Sequence, residues 1–429
     1  SSRSPKVRAA LEQAVVVVNP CYNPDGHERF AVWYDSIARG QADSSGFEIN
    51  EPSAVAGRLN HFRFDMNRDR VAMSQDETRA EVLLFDRIRP HVYADQHGHV
   101  QNYFFPPNPM SVHAETDRAR VEKWTSIFGR APAKGFAATG YSYFIRRDFD
   151  LFYPGYLDSF TTLSGAIGMT HETDGGKTLA KKRKDETVVT LREGVAKHLL
   201  SALAVIESAA THRSDLLASF AEYSRRGREG VGAGEFRSIV LTGDSRPLKR
   251  IADQLARMGV TSRLIGAMTI TAKDYWKESA AAAKVNLPAG SLLVDTAQSK
   301  GQLARAMLSN ESNFESSFAK EQMTKRDAVG KGERYPGAEE SEFYDTTGWA
   351  LPYAHGLRAW HSSEVVKDAP YKIPALVKGG EIALSSVGYA LRVVDREDLL
   401  AAAEARRSGV RLSIIPKPTV IGGVRYERG

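Results

Sequence analysis

The sequence predicts an α/β protein built as two units, each a β-sheet flanked by helices. Three observations carry this. Short β-branched runs alternate with amphipathic helical stretches through the first half of the chain. A long helical segment then leads into "REGVGAGEF", whose Gly230, Gly232 and Gly234 read as a linker, and the alternation restarts beyond it. Finally, 42% apolar and 26% charged residues are ordinary for a globular chain, and 429 residues suffice for two cores. The units are placed at 1–228 and 235–429.

In order, "AVVVVNP" (14–20) is a β-branched run closed by Asn19 and Pro20, hence a buried strand. "NPDG" (23–26) has the composition of a turn, with proline second and glycine last. "DETRAEVLLFDRIRP" has helical periodicity, with Val82, Leu83, Phe85 and Ile88 on one stripe and Pro90 closing it. "HVYADQH" follows as a strand. "AETDRARVEKWTSIFGR" is an amphipathic helix with Gly129 near its end, and "SGAIGMTHE" is a strand finishing at Glu172. The pattern from Thr187 to Arg226 is helical throughout. In the second unit "SIVLTG", "VTSRLIG" and "GSLLVDT" read as strands, and "SRPLKRIADQLARMG" and "SKGQLARAML" as helices. This is a flavodoxin-like or Rossmann-like start, but its first turn, "TGDSRP", lacks the glycine pattern that cradles a dinucleotide phosphate. "RDAVGKGERYPGAEES" reads as an exposed loop, and the segment from Gly380 to Gly409 as a strand followed by a helix.

Several function classes are excluded. The net charge of +6 is modest, and the densest basic run, "KTLAKKRK" (177–184), has no interleaved aromatics to stack bases; it reads as a solvated loop or helix start. No nucleic-acid partner is expected. Cys21 stands alone, so no intrachain disulfide forms. No apolar run approaches the ~20 residues that span a bilayer. The chain opens without methionine and shows no signal peptide, so an earlier segment is expected to have been removed; a periplasmic or secreted location is favoured, with the cytoplasm open.

Four pieces of the first unit bear on chemistry. The "NPDG" turn says little alone. "FDMNRDR" sets Asn67 beside Arg68, an amide and a guanidinium that together can grip a planar carboxylate. "YADQHGHVQNYFFPP" presents His97 at a strand end, the sheet edge where α/β proteins place ligands. In "MTHETDGG", Glu172 ends an apolar strand, where burial would raise its pKa toward the range of a general base. Taken singly, the second piece reads as a surface turn, and Glu172 reads equally as a strand-end cap.

In this order, with a tyrosine cluster between, the pieces resemble the zinc carboxypeptidase family of the carboxypeptidase A type, over residues 14–175. The resemblance implies a mixed sheet flanked by helices and a metallopeptidase acting at or near a peptide C-terminus. It implies that His97 is the third zinc ligand, in "HGHVQ", with His99 not a ligand. Asn67 and Arg68 would bind the terminal carboxylate, and Glu172 would be the general acid/base. Tyr156, or Tyr153, would lie near the substrate's end, and Arg39 or Arg29 would polarise the scissile carbonyl.

The family's first two zinc ligands come from an HxxE motif upstream of "NPDG", and the residues before Asn23 contain no histidine. "HSSE" (361–364) has the letters but lies far downstream, and reads as coincidence. The expectation is therefore zinc with one ligand in this chain and two from a missing N-terminal segment, on a sheet incomplete at its N-terminus. A pseudoenzyme that keeps the peptide-binding face without metal is the alternative, as is a zinc amidase on the same scaffold. The second unit, including "EFYDTTGWALPYAHGL", resembles the C-terminal extension of large bacterial family members, similar in form to class I glutamine amidotransferase-like domains. With no cysteine of its own, that unit is expected to be structural or regulatory, its tryptophan anchoring a packed turn.

Overall fold

A computed structural model describes residues 4–38, 40–45, 50–98, 102–109, 111–175, 178–277, 281–312, 316–331, 341–343, 348–367, 371, 385, 387–393 and 396–428. The first helices are α1 (Pro5–Gln13), α2 (Pro24–Ala38) and α3 (Asp76–Ile88). They precede a four-stranded mixed sheet: β1 (Val92–Gly98), β2 (Tyr103–Phe104), β3 (Tyr143–Phe144) and β4 (Ile167–Thr173), in spatial order β1-β4-β2-β3. β1 and β4 run parallel, with Asp95 opposite Thr170 and His97 opposite Glu172, while β2 meets β4 antiparallel. The helices of this half are α4 (Arg118–Thr139), α5 (Leu157–Leu163), α6 (Leu191–Thr211) and α7 (Arg213–Arg228), and a hairpin, β5 (Ala180–Lys182) with β6 (Val188–Thr190), precedes α6.

Two faces of the sheet are covered differently. On one, Ile167 and Met169 pack with Trp124 and Phe128 of α4, Val205 of α6 and Leu216 of α7. On the other, Gly168 lets α5 approach so closely that a Cβ there would lie 2.0 Å from the Asp158 carbonyl. Residues opposite one another on paired strands share a face. Tyr93, Asp95, His97, Thr170 and Glu172 therefore line the α5 side.

The second half adds β7 (Ser238–Thr242), α8 (Ser245–Arg257), β8 (Arg263–Ile265), β9 (Met268–Asp274), β10 (Ala283–Leu287), β11 (Ser291–Asp295), α9 (Gly301–Leu308), α10 (Ser316–Gly330), α11 (Leu351–Ala354), β12 (Arg358–Ser362) and α12 (Arg396–Arg407). Its six strands are ordered β10-β9-β12-β7-β11-β8. Every pairing described in this sheet is antiparallel, so no parallel flavodoxin- or amidotransferase-like sheet is formed among the described residues. Alternation of strand and helix does not by itself fix strand direction. The largest core joins both halves: Val71, Met73, Tyr153, Phe160 and Leu163 pack in one cluster with Ile239, Ile251, Leu255, Leu303 and Leu357. Trp349 anchors it, donating from its indole N–H to the Ala306 carbonyl at 2.9 Å.

Several local expectations change. The valine run is not a strand: Val15 is 92% exposed and Val18 73%, and no described strand pairs with it. β-Propensity without a hydrogen-bonding neighbour does not make a strand. "NPDG" opens α2 instead of forming a turn, because Pro24 takes the first helical position and the Asn23 side chain accepts from the Gly26 N–H at 3.0 Å. On α3 the buried stripe is Thr78–Val82–Phe85, leaving Leu83 and Ile88 exposed. α4 runs ten residues past Gly129, as the bounds of the helix show, since this glycine serves close approach: a Cβ would lie 2.1 Å from the Pro106 carbonyl. The basic run contributes β5, paired with β6 across a turn in which Asp185 accepts from the Thr187 N–H and hydroxyl. The helical stretch after Thr187 starts with that strand and breaks at His212. α10 takes the start of the expected loop "RDAVGKGERYPGAEES"; residues 332–340, and most of the strand expected after Gly380, lie outside the described residues.

Candidate functional site

The site grows from the parallel pair β1 and β4. His97 lies directly opposite Glu172, its Nδ1 3.9 Å from Glu172 Oε1, while its Nε2 meets Asp95 Oδ2 at 2.5 Å. Burial works against protonating His97, but the charge and hydrogen bond of Asp95, with Glu172 behind them, lift its pKa to about 9. Glu172 is 8% exposed, and burial first of all raises its carboxyl to about 7, with His97 pulling the other way. Next to them Asp158, in the first turn of α5, is raised by burial to about 6 although Thr170 donates to it at 2.8 Å.

α5 ties this acid and imidazole group to the predicted carboxylate grip. Asn67 and Arg68 sit on a 3-10 turn, Met66–Arg68, capped by the Asp65 side chain. The Asn67 amide oxygen accepts from the Leu157 N–H at 2.9 Å, so the turn is fastened to the start of α5. The Arg68 guanidinium stacks 4.4 Å from the Tyr156 ring centre, and the Tyr153 hydroxyl donates to the Arg68 carbonyl at 3.2 Å. The four residues expected to hold substrate thus form one group, with both tyrosines buried.

Of the two arginines expected near the scissile carbonyl, Arg29 is among the described residues. Arg29 donates to the carbonyls of Val55, Ala56, Leu59 and Asn60, so its fork is committed to shaping the 55–60 loop. Arg39 and His99 lie outside the described residues. Arg58, on the loop that Arg29 and Asn23 hold, carries a positive charge that acts on both Glu172 and His97. Its Nε donates to Asp65 at 2.7 Å, and Asp65 also caps the turn carrying Asn67 and Arg68. Sequence reasoning passed over Arg58, Asp95 and Asp158. Asp95 had a signal, since residues two apart on a strand share a face; Arg58 had none without the fold.

Zinc is implied by the family resemblance, and the donor set is a direct test of it. Among the described residues no group of three or more His, Cys, Asp and Glu side chains is disposed to hold a metal. His97 has one ring nitrogen on Asp95 and the other turned to Glu172. The donors described in this chain therefore do not fit a zinc site by themselves. His361, of the distant "HSSE", stacks on Phe236 in the second half, 4.4 Å between ring centres, as a packing residue.

No known family model matches the sequence, and no curated protein matches it. Among solved structures, a metallo-carboxypeptidase from Pseudomonas aeruginosa in complex with (2-guanidinoethylmercapto)succinic acid aligns at 16% identity with a TM-score of 0.35, over 50% of this chain and 50% of that one. The chain thus spans about half the length of that structure, and a likeness this loose carries no weight for fold or function. No helix among the described residues is long and apolar enough to cross a membrane.

Proposed function

We propose that this chain carries the site of a carboxypeptidase-type hydrolase, cleaving an amide bond next to a free carboxylate of a peptide substrate. The observation that carries the reading is the pairing of Glu172 with His97 on a face fastened through α5 to the Asn67–Arg68 turn. Arg68 receives the substrate carboxylate in a charge-assisted pair, with the Tyr156 ring beneath the guanidinium. Glu172, whose carboxyl is held near neutrality by burial, takes a proton from the attacking water and returns it to the departing amine. Arg58 supplies positive charge toward the oxyanion that forms.

In its fuller form the reading includes zinc, with two ligands from an N-terminal segment of the same protein held beside β1. What supports a partner there is that β1 is an edge strand among the described residues and that Val15, Val17, Val18, Val32 and Leu83 are exposed in the same part of the chain. The second reading is a peptide-binding module that grips a carboxylate without cleaving, favoured by the His97 nitrogens being turned to carboxylates.

The test compares free-acid and C-terminally amidated peptides. Cleavage is expected for the free acid only. Arg68→Ala should lower its kcat/KM by roughly 10- to 100-fold, the loss of one charge-assisted pair of about 1.5–3 kcal/mol. Selective binding of the free acid without cleavage supports the module instead, and no preference between the two peptides overturns both readings. Mass spectrometry and metal analysis of the purified protein ask whether an upstream fragment and zinc accompany the chain.

A further inference from the structure

We infer that His198, on α6 behind the sheet, is a positioning residue for His97; as far as catalysis is concerned, this rests on the hydrolase reading above. His198 Nε2 lies 2.7 Å from the His97 carbonyl, and its Nδ1 lies 2.7 Å from the Tyr103 hydroxyl. A carbonyl only accepts, so Nε2 carries the proton, and the neutral ring accepts the Tyr103 proton at Nδ1. Tyr103 is fully buried, its ring packed edge-on 5.3 Å from the imidazole. The Gln96 side chain donates to the His198 carbonyl at 3.2 Å, closing a loop between α6 and the end of β1.

The reason for such a clamp lies in the sheet order. β1 pairs only with β4 among the described residues, and His97 is its last residue but one. A peptide held from one side near a strand end is free to tilt, and a tilt swings the imidazole away from Asp95 and Glu172. His198 grips that peptide from the rear face, opposite the side chain it orients. General packing of α6 does not need it. Lys197 on Asp174, at 2.8 and 3.0 Å, and Ser201 on His171, at 2.5 Å, already join the helix to β4 and its end. The dyad also gives "QNYFFPP" a part to play: Tyr103 sets the His198 tautomer, and His198 sets His97.

Two variants test this in the whole chain. His198→Phe keeps a ring and removes the donor, whereas His198→Gln keeps an N–H close to the position of Nε2. In 15N-histidine-labelled protein, His198 is expected as the Nε2–H tautomer. The His97 ring resonances should shift in His198→Phe and return toward wild type in His198→Gln. Unmoved His97 resonances, or an Nδ1–H tautomer at His198, overturn the inference whether or not the protein cleaves peptides. Where cleavage is measured, His198→Phe should lower kcat by roughly 10- to 100-fold with KM little changed, the scale of an ångström-sized misplacement. Wild-type kcat in that variant also overturns it, as does a loss that His198→Gln fails to restore.

Discussion

His113 shows what burial does to a single titratable side chain in this protein. It is 1% exposed, flanked by Phe152 and Trp349, and desolvation lowers its pKa from 6.5 to about 4. The fold keeps it neutral while the unfolded chain takes up a proton below 6.5, so stability is present above that pH and is lost as pH falls toward 4. The gap corresponds to up to about 3 kcal/mol. Urea unfolding at pH 7 and pH 4.5 should show His113→Phe losing less stability on acidification than wild type; equal losses would rule the assignment out. Arg29 gives the complementary lesson. A guanidinium is legible in sequence, but whether it faces substrate or backbone carbonyls is settled by the loop that folds around it.

At the scale of elements, the contact between α5 and β4 decides whether the site exists. α5 presents Asp158 to Thr170 at one point and Leu157 to Asn67 at another, and it reaches both because Gly168 has no side chain. Gly168→Ala would drive a methyl into the Asp158 carbonyl. The expected cost is about 1–3 kcal/mol from overpacking, with peptide cleavage or binding lost to a greater degree than stability. A melting temperature and an activity both like wild type would show that α5 can move aside. Most elements of this half were legible: α3, β1 and β4 lie where their patterns put them, although α3 buries a different stripe and α4 begins at Arg118, four residues into its predicted segment. The valine run was not, because pattern reports propensity and a strand also needs a neighbour in register.

At the scale of the whole molecule, the two halves share a core. Val71, Met73 and Phe160 pack with Ile251, Leu255 and Leu303, and Glu115 pairs with Arg305 at 2.6 Å across the same boundary. Burial of this kind couples their stabilities, so thermal unfolding should be a single transition followed alike by tryptophan fluorescence and far-UV dichroism. Two resolved transitions would mean that 1–228 and 235–429 fold independently. The linker glycines explain why the sequence suggests separation: Gly230, Gly232 and Gly234 all adopt positive φ, as a sharp reversal needs, but the chain they release folds back onto the first half.

By itself the sequence determined the α/β class, and it put forward a linker at Gly230–Gly234 and a short list of side chains whose chemistry suits binding a carboxylate and moving a proton. Those properties are local, set by period, composition and residue chemistry. Tertiary structure alone decided the antiparallel order of the second sheet, the commitment of Arg29 to a loop, the reach of Arg58 toward Glu172 and the grip of His198 on the His97 peptide. Each of these depends on residues apart in the chain being brought together, and only packing does that.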